Sequence, residues 1–213
     1  MAITRRFIFD KVNFFLKQEN KFFTSAEVLS MIDNEAFNFV ARDINYPKTN
    51  YSAYLASGKY LVSTPTDFIK VSPNDKIVYR DASSTHELDP KEKTDIGVTE
   101  IYTATPSIPE YYYPENESHI GIYPPCTSGI VIIPYVKKPT ILTNDSSVNE
   151  ITEQCYLAAV YWTTKECMLK DKDLERYIVF EKLYNYEVEN LKAHYNITFG
   201  TPKDIRPHKD WIR

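Results

Sequence analysis

The hydrophobic period changes twice along this chain, and that constrains the fold more than any single motif. Up to Tyr46 the apolar residues recur every three or four positions. From about 51 to 143 they recur every second position, and then the helical spacing returns. Helices at both ends with strands between them rule out an all-β or an all-α chain. They leave an α+β arrangement as the economical one.

The first helical stretch, residues 5–19, sets Ile8, Val12, Phe15 and Leu16 on one stripe, with Phe7 and Phe14 widening it. The second has a stronger start. Thr24 followed by Glu27 is a capping box, with Phe23 and Val28 placed for a hydrophobic staple. Leu29, Ile32, Ala36, Val40 and Ile44 then repeat until Asn45-Tyr46-Pro47 ends the run.

Beyond Pro47 the short runs Tyr51–Leu55, Tyr60–Val62, Phe68–Val71 and Ile77–Tyr79 are strand-like and separated by Pro65, Pro73 and Asn74-Asp75. The polar stretch 81–95 reads as an exposed loop, and Val98 to Thr103 reads as a resumed strand. In Tyr111–Tyr113 the first and third tyrosines share a face and Tyr112 points the other way. Gly121 marks a bulge or a close approach.

Helix resumes after Ser147 and Glu150, a second candidate capping box. Apolar residues on more than one side of 151–168 predict a mostly buried helix. Asp173 caps the next helix, whose stripe is Tyr177, Phe180, Tyr184, Val188, Leu191 and Tyr195. The short joint makes the two a helical hairpin.

The expected architecture is therefore a helical bundle built from the N- and C-terminal helices, with a β-rich region inserted as a small sheet or sandwich. Its expected divisions are 1–50 for the N-terminal helices, 51–143 for the inserted β-region, 144–195 for the helical hairpin and 196–213 for an extended docking tail. That tail carries Arg206, Trp211 and Ile212; an exposed tryptophan and isoleucine cost solubility, so docking on a neighbouring subunit or partner accounts for them better than disorder does.

Chemistry-bearing patterns are scarce. His86, His119, His194 and His208 have no second ligand at metal spacing, and neither HExxH nor CxxC occurs. Five scattered glycines build no phosphate loop, and no G-x-S-x-G elbow is present. The expectation is no catalytic residue, no metal and no cofactor. Cys126, Cys155 and Cys167 form no disulfide framework, since the last two lie twelve residues apart on one helix, which suits a reducing compartment.

The N-terminal stretch is interrupted by Asp10 and Lys11 too soon for a signal peptide. No window approaches a membrane span, so no membrane partner is expected. The sequons at Asn116, Asn144 and Asn196 then read as chance. A net charge of −4 argues against a protein that coats nucleic acid. Seventeen tyrosines favour interfaces, because tyrosine buries area while keeping a polar tip. Tyr111, Tyr112 and Tyr113 are candidate contact residues, but the flanking Glu110, Glu115 and Glu117 make them poor base-stackers.

In order, these features resemble the head-to-tail adaptor (connector) proteins of short-tailed bacteriophages. The likeness is carried by Tyr46-Pro47 with Tyr51, by Tyr60-Leu61-Val62 followed by Pro65-Thr66-Asp67-Phe68, by Thr105-Pro106 with Pro109-Glu110-Tyr111-Tyr112, by Ile120-Gly121-Ile122-Tyr123-Pro124-Pro125, and by Ile132-Ile133-Pro134-Tyr135 with Pro139 and Leu142. It spans roughly 24–195, and the spacing before Pro65 and the tail depart from the pattern.

The resemblance implies a virion structural protein of the neck or tail region, made in the host cytoplasm. Copies of it, commonly twelve, form a ring (a dodecamer) below the portal protein, joined to tail or further ring proteins, with phage DNA passing through the lumen without sequence-specific binding. It implies no catalysis. A mildly acidic chain suits that passage, since a strongly basic wall holds phosphates. The competing readings are a tail or baseplate module that binds a receptor or glycan, and a hydrolase with an unmarked carboxylate pair.

Overall fold

Thr24 starts the second helix as its spacing predicts. Its hydroxyl accepts from the Glu27 backbone N–H at 3.2 Å, and the Glu27 carboxylate accepts from the Thr24 backbone N–H at 2.8 Å. This is a computed structural model describing residues 3–16, 23–73, 75–116 and 118–199. The chain divides into two units, one made of residues 1–46 and 140–213, the other of 47–139.

In the first unit, α1 (Arg5–Leu16) buries Ile8, Phe9, Val12 and Leu16. The next helical run is α2 (Ser25–Met31), a five-residue π-helical segment (Ile32–Ala36) and α3 (Phe37–Ile44). It ends where Asn45 adopts the left-handed conformation (φ 58°, ψ 41°) and its N–H returns to the Ala41 carbonyl. The longest helices follow late in the chain: α6 (Thr152–Lys170) and α7 (Leu174–Phe199).

Helix α6 is buried nearly all round, including Thr163 and Thr164. Their hydroxyls stay satisfied by donating to the carbonyls of Ala159 and Val160, four residues back, at 2.9 and 2.8 Å. Trp162 stacks on Phe39 with ring centroids 4.7 Å apart. Asp173 caps α7 as expected, accepting from the Arg176 N–H at 3.1 Å.

The other expected cap is displaced. Ser147 accepts instead from the N–H groups of Thr143 and Asn144, and Glu150 accepts from Thr140. The turn into α6 is built by Asn149 and Thr152: the Asn149 N–H donates to the Thr152 oxygen at 2.8 Å, and the Thr152 hydroxyl donates to the Asn149 side chain at 2.7 Å.

The second unit holds β1 (Lys48–Leu55), β2 (Leu61–Ser63), β3 (Phe68–Val71), β4 (Ile77–Arg80), β5 (Thr85–Pro90), β6 (Tyr111–Asn116), β7 (His119–Tyr123) and β8 (Gly129–Lys137), with the short helices α4 (Lys93–Ile96) and α5 (Val98–Thr103) before β6. The strands form one eight-stranded mixed sheet of order β1-β8-β4-β5-β6-β7-β2, with β3 also on β8, and the sheet curls into a nearly closed barrel.

This overturns the expected helical bundle with a small inserted sheet or sandwich. The physical reason is β5. It lies within the polar stretch 81–95 that reads as a loop, and only Leu88 of its six residues is buried. Yet β5 pairs antiparallel with β4 on one side and parallel with β6 on the other. One polar strand thereby joins two groups of strands into a single sheet.

A second difference is α5, expected as a strand. Gly97 enters it at φ +82°, a conformation open to glycine, and Ile101 is drawn into a cluster with Ile96 and Tyr113. Tertiary burial outweighs the local β-propensity of Val98, Thr99, Ile101, Tyr102 and Thr103. The main core of the sheet collects Leu55, Val62, Ile77, Tyr79, Leu88, Ile120, Ile122, Val131, Ile133 and Tyr135.

Candidate interaction surfaces

The three tyrosines of β6 go to different environments. Tyr113 is fully buried. Its register partner on β7 is Gly121, and a Cβ added there would meet the Tyr113 Cζ at 2.1 Å. The close approach expected at Gly121 is thus the seat of a tyrosine ring. Burial, with help from the nearby Glu115 charge, pushes the Tyr113 hydroxyl up to about 12. That hydroxyl has no hydrogen-bond partner among the described residues. Beside it lie a pair of tyrosines, Tyr60 and Tyr102, packed edge to face at 5.7 Å, and the Lys93–Glu115 ion pair at 2.6 Å.

Tyr112 points to the opposite side of the strand and packs, half-buried, against the main core of the sheet. Tyr111 is half-buried, with the Lys91 ammonium 4.5 Å from its ring centroid. Both faces of the strand are therefore aromatic, as the period predicts, and Tyr113 is given wholly to the interior. Arg206, Trp211 and Ile212, the other candidate contact residues, lie outside the described residues.

The remaining reactive groups are quiet. Cys126, Cys155 and Cys167 are all buried free thiols. Desolvation pushes the latter two up to about 12, so they stay protonated and unreactive. His119 is held by Ser118 and Ser63 at 2.9 and 3.3 Å, and His86 sits 2.7 Å from the Ser84 hydroxyl. Among the described residues no group of three His, Cys, Asp or Glu side chains is placed to hold a metal ion. Among them, too, no helix is long and apolar enough to cross a membrane.

Sequence reasoning missed the most distinctive surface. One side of α7 buries Phe180, Tyr184, Val188, Leu191 and Tyr195. Away from that stripe, the same helix exposes Leu174 (59%), Ile178 (48%), Val179 (55%), Leu183 (37%) and Tyr186 (70%). The signal was available. Val179, Leu183 and Tyr186 are spaced four and three residues apart, so they share one helix face, and Leu174 and Ile178 share another. Looking for one buried stripe hides a second apolar one. On the sheet, Tyr54 of β1 and its cross-strand partner Ile130 of β8 are also exposed.

The family model of the SU10 adaptor protein matches residues 8–198. That span takes in the described helices and strands of both units almost entirely. No curated protein matches the chain.

Proposed function

We propose a role for this chain from one premise: it belongs to the SU10 adaptor protein family, and so is a structural component of a phage virion. Our reading is that it is a head-to-tail adaptor. Copies assemble into a ring, a dodecamer, that sits below the portal protein, joins capsid to tail or to further ring proteins, and leaves a lumen through which the genome passes.

The single observation that carries this reading is the family match over residues 8–198. Physical features agree with it. A ring repeats one heterologous contact until it closes, and that contact needs two different, stiff surfaces on each copy. The nearly closed eight-stranded sheet and the helical unit each offer one. The exposed apolar faces of α7 are larger than an isolated surface residue requires, which marks them for burial in an assembly. The docking tail expected over 196–213, whose first residues continue α7 to Phe199, engages a neighbouring copy or the portal in the virion.

Cryo-electron microscopy of the virion neck, with this chain traced in the density, tests the reading. The expected result is a closed ring of copies between portal and tail. A trimeric arrangement at the tail tip, or density for the chain elsewhere in the particle, would overturn it.

A further inference from the structure

We infer that the sheet unit binds an internal water molecule at the polar site among α4, α5 and β6, where it bridges the Tyr113 hydroxyl and the Glu115 carboxylate. Two oxygens point to it. Tyr113 is 0% exposed, and its Oη has no hydrogen-bond partner among the described residues. The Oε2 of Glu115 is buried and equally without one among them. Buried donors and acceptors in folded chains are nearly always paired, and leaving one unpaired is costly.

Neither group is free to turn elsewhere. The Tyr113 Cζ lies 2.1 Å from where a Cβ would stand on Gly121, so the ring tip fills the space of that missing side chain. This fixes where the hydroxyl points. The other oxygen of Glu115, Oε1, accepts from the Lys93 ammonium at 2.6 Å, which holds the carboxylate. The two orphaned oxygens are close enough for the Glu115 charge to act on the Tyr113 hydroxyl, yet they are not bonded to each other. A molecule between them satisfies both.

The surroundings define its chemistry. It must donate to a carboxylate oxygen and accept from a phenol hydroxyl. An anion is repelled by Glu115. A cation is repelled by the Lys93 ammonium, which already balances that carboxylate. The occupant is therefore neutral. It is also small, because Ile96, Ile101, Tyr60 and Tyr123 pack around Tyr113. Water meets every requirement. Tyr60 and Tyr102, which also bear electrostatically on Tyr113, supply a hydroxyl for its third bond. The bridge ties β6 to the α4–α5 segment through polar groups, beside the apolar contacts of Ile96 and Ile101.

The first test is a crystal structure of the full-length chain at a resolution that shows ordered water. The expected result is a density peak within hydrogen-bond distance of both Tyr113 Oη and Glu115 Oε2. A direct bond between those two oxygens, or no density between them, overturns the proposal. The second test is urea unfolding of Tyr113→Phe, which keeps the ring on Gly121 and removes only the hydroxyl. With water bound, the hydroxyl contributes a bond, and the variant's midpoint falls. A midpoint that is unchanged or raised, the mark of a hydroxyl buried without a partner, overturns the proposal. Either result leaves the adaptor reading to be judged by the neck density.

Discussion

The helical unit and the sheet unit reach the same end by different means. The helical unit brings distant segments together with a charged clamp. The Arg5 guanidinium, largely buried, meets both oxygens of Asp33 at 2.7 Å and also Asp145 at 3.2 Å. Backbone bonds from Arg5 and Arg6 to Ser147 and Asp145 hold the same junction. One residue thus ties α1 to the π-helical segment and to the loop before α6.

The sheet unit relies on absent Cβ atoms. Tyr113 lies against Gly121, and Gly129 sits where a Cβ would come within 2.5 Å of the Arg80 carbonyl and 2.7 Å of the Tyr79 ring. The Tyr79 hydroxyl then donates to the Ser128 carbonyl at 2.8 Å. One unit is specified by charge and the other by shape. The first should therefore respond to charge removal, and the second to added volume.

The largest effect is expected from Gly121→Val. A side chain there has no room while the Tyr113 ring stays, so the β6–β7 pair must shift; the cost should be about 3 kcal/mol or more. Urea unfolding followed by circular dichroism measures it. Adding Tyr113→Ala should recover part of the loss, and a double variant no better than the single would show that the contact does not set the shape of this pair.

Arg5→Ala should cost somewhat less, about 2 kcal/mol, because it leaves the mostly buried Asp33 without its partner. Arg5→Lys should not restore stability, since an ammonium cannot bridge both carboxylate oxygens. Recovery with lysine would reduce the clamp to simple attraction. Hydrogen exchange of α1 amides locates the effect in the helical unit.

Thr24→Ala removes the capping box and should cost about 1 kcal/mol, read as a lower urea midpoint.

The smallest effect is expected on acidification, and it touches one turn in each unit. Backbone N–H groups of Ser83 and Ser84 hold Asp81 at about 2, and the Thr24 backbone N–H lowers Glu27. Both carboxyls are depressed in the folded chain. Their contribution is therefore complete above the unfolded values near 4, and it is lost as pH falls through the folded ones, for Asp81 between about pH 4 and 2. Carbon-13 titration of the two carboxyls checks this; ordinary midpoints would remove both turns from the account.

The same contrast explains what could be read from the sequence. Helix starts governed by local chemistry were legible, as at Thr24–Glu27 and Asp173, because donor and acceptor sit three residues apart. The alternating faces of Tyr111–Tyr113 and the close approach at Gly121 were legible; that β6 pairs with β7 was not. The strand β5 was not: THELDP has one buried residue, and its strand state comes from β4 and β6, partners a local reading cannot see. Helix α5 failed for a related reason, since Gly97 and the Tyr113 cluster decide its form. The exposed stripe on α7 was visible as spacing, but only the packed structure tells which stripe faces inward.

Strand β8 has a consequence for the chain as it leaves the ribosome. It is the last strand to be made, yet β1, β3 and β4 all pair with it. Strands β1 and β3 and one edge of β4 must therefore wait, unpaired, until residues 129–137 emerge, and α1 waits longer still for α6. Synthesis hands the cell an unfinished chain for most of its length, and both units can close only late. Truncated translation products should then be rich in unpaired edges and be cleared or aggregate, while the completed chain folds in nearly one event.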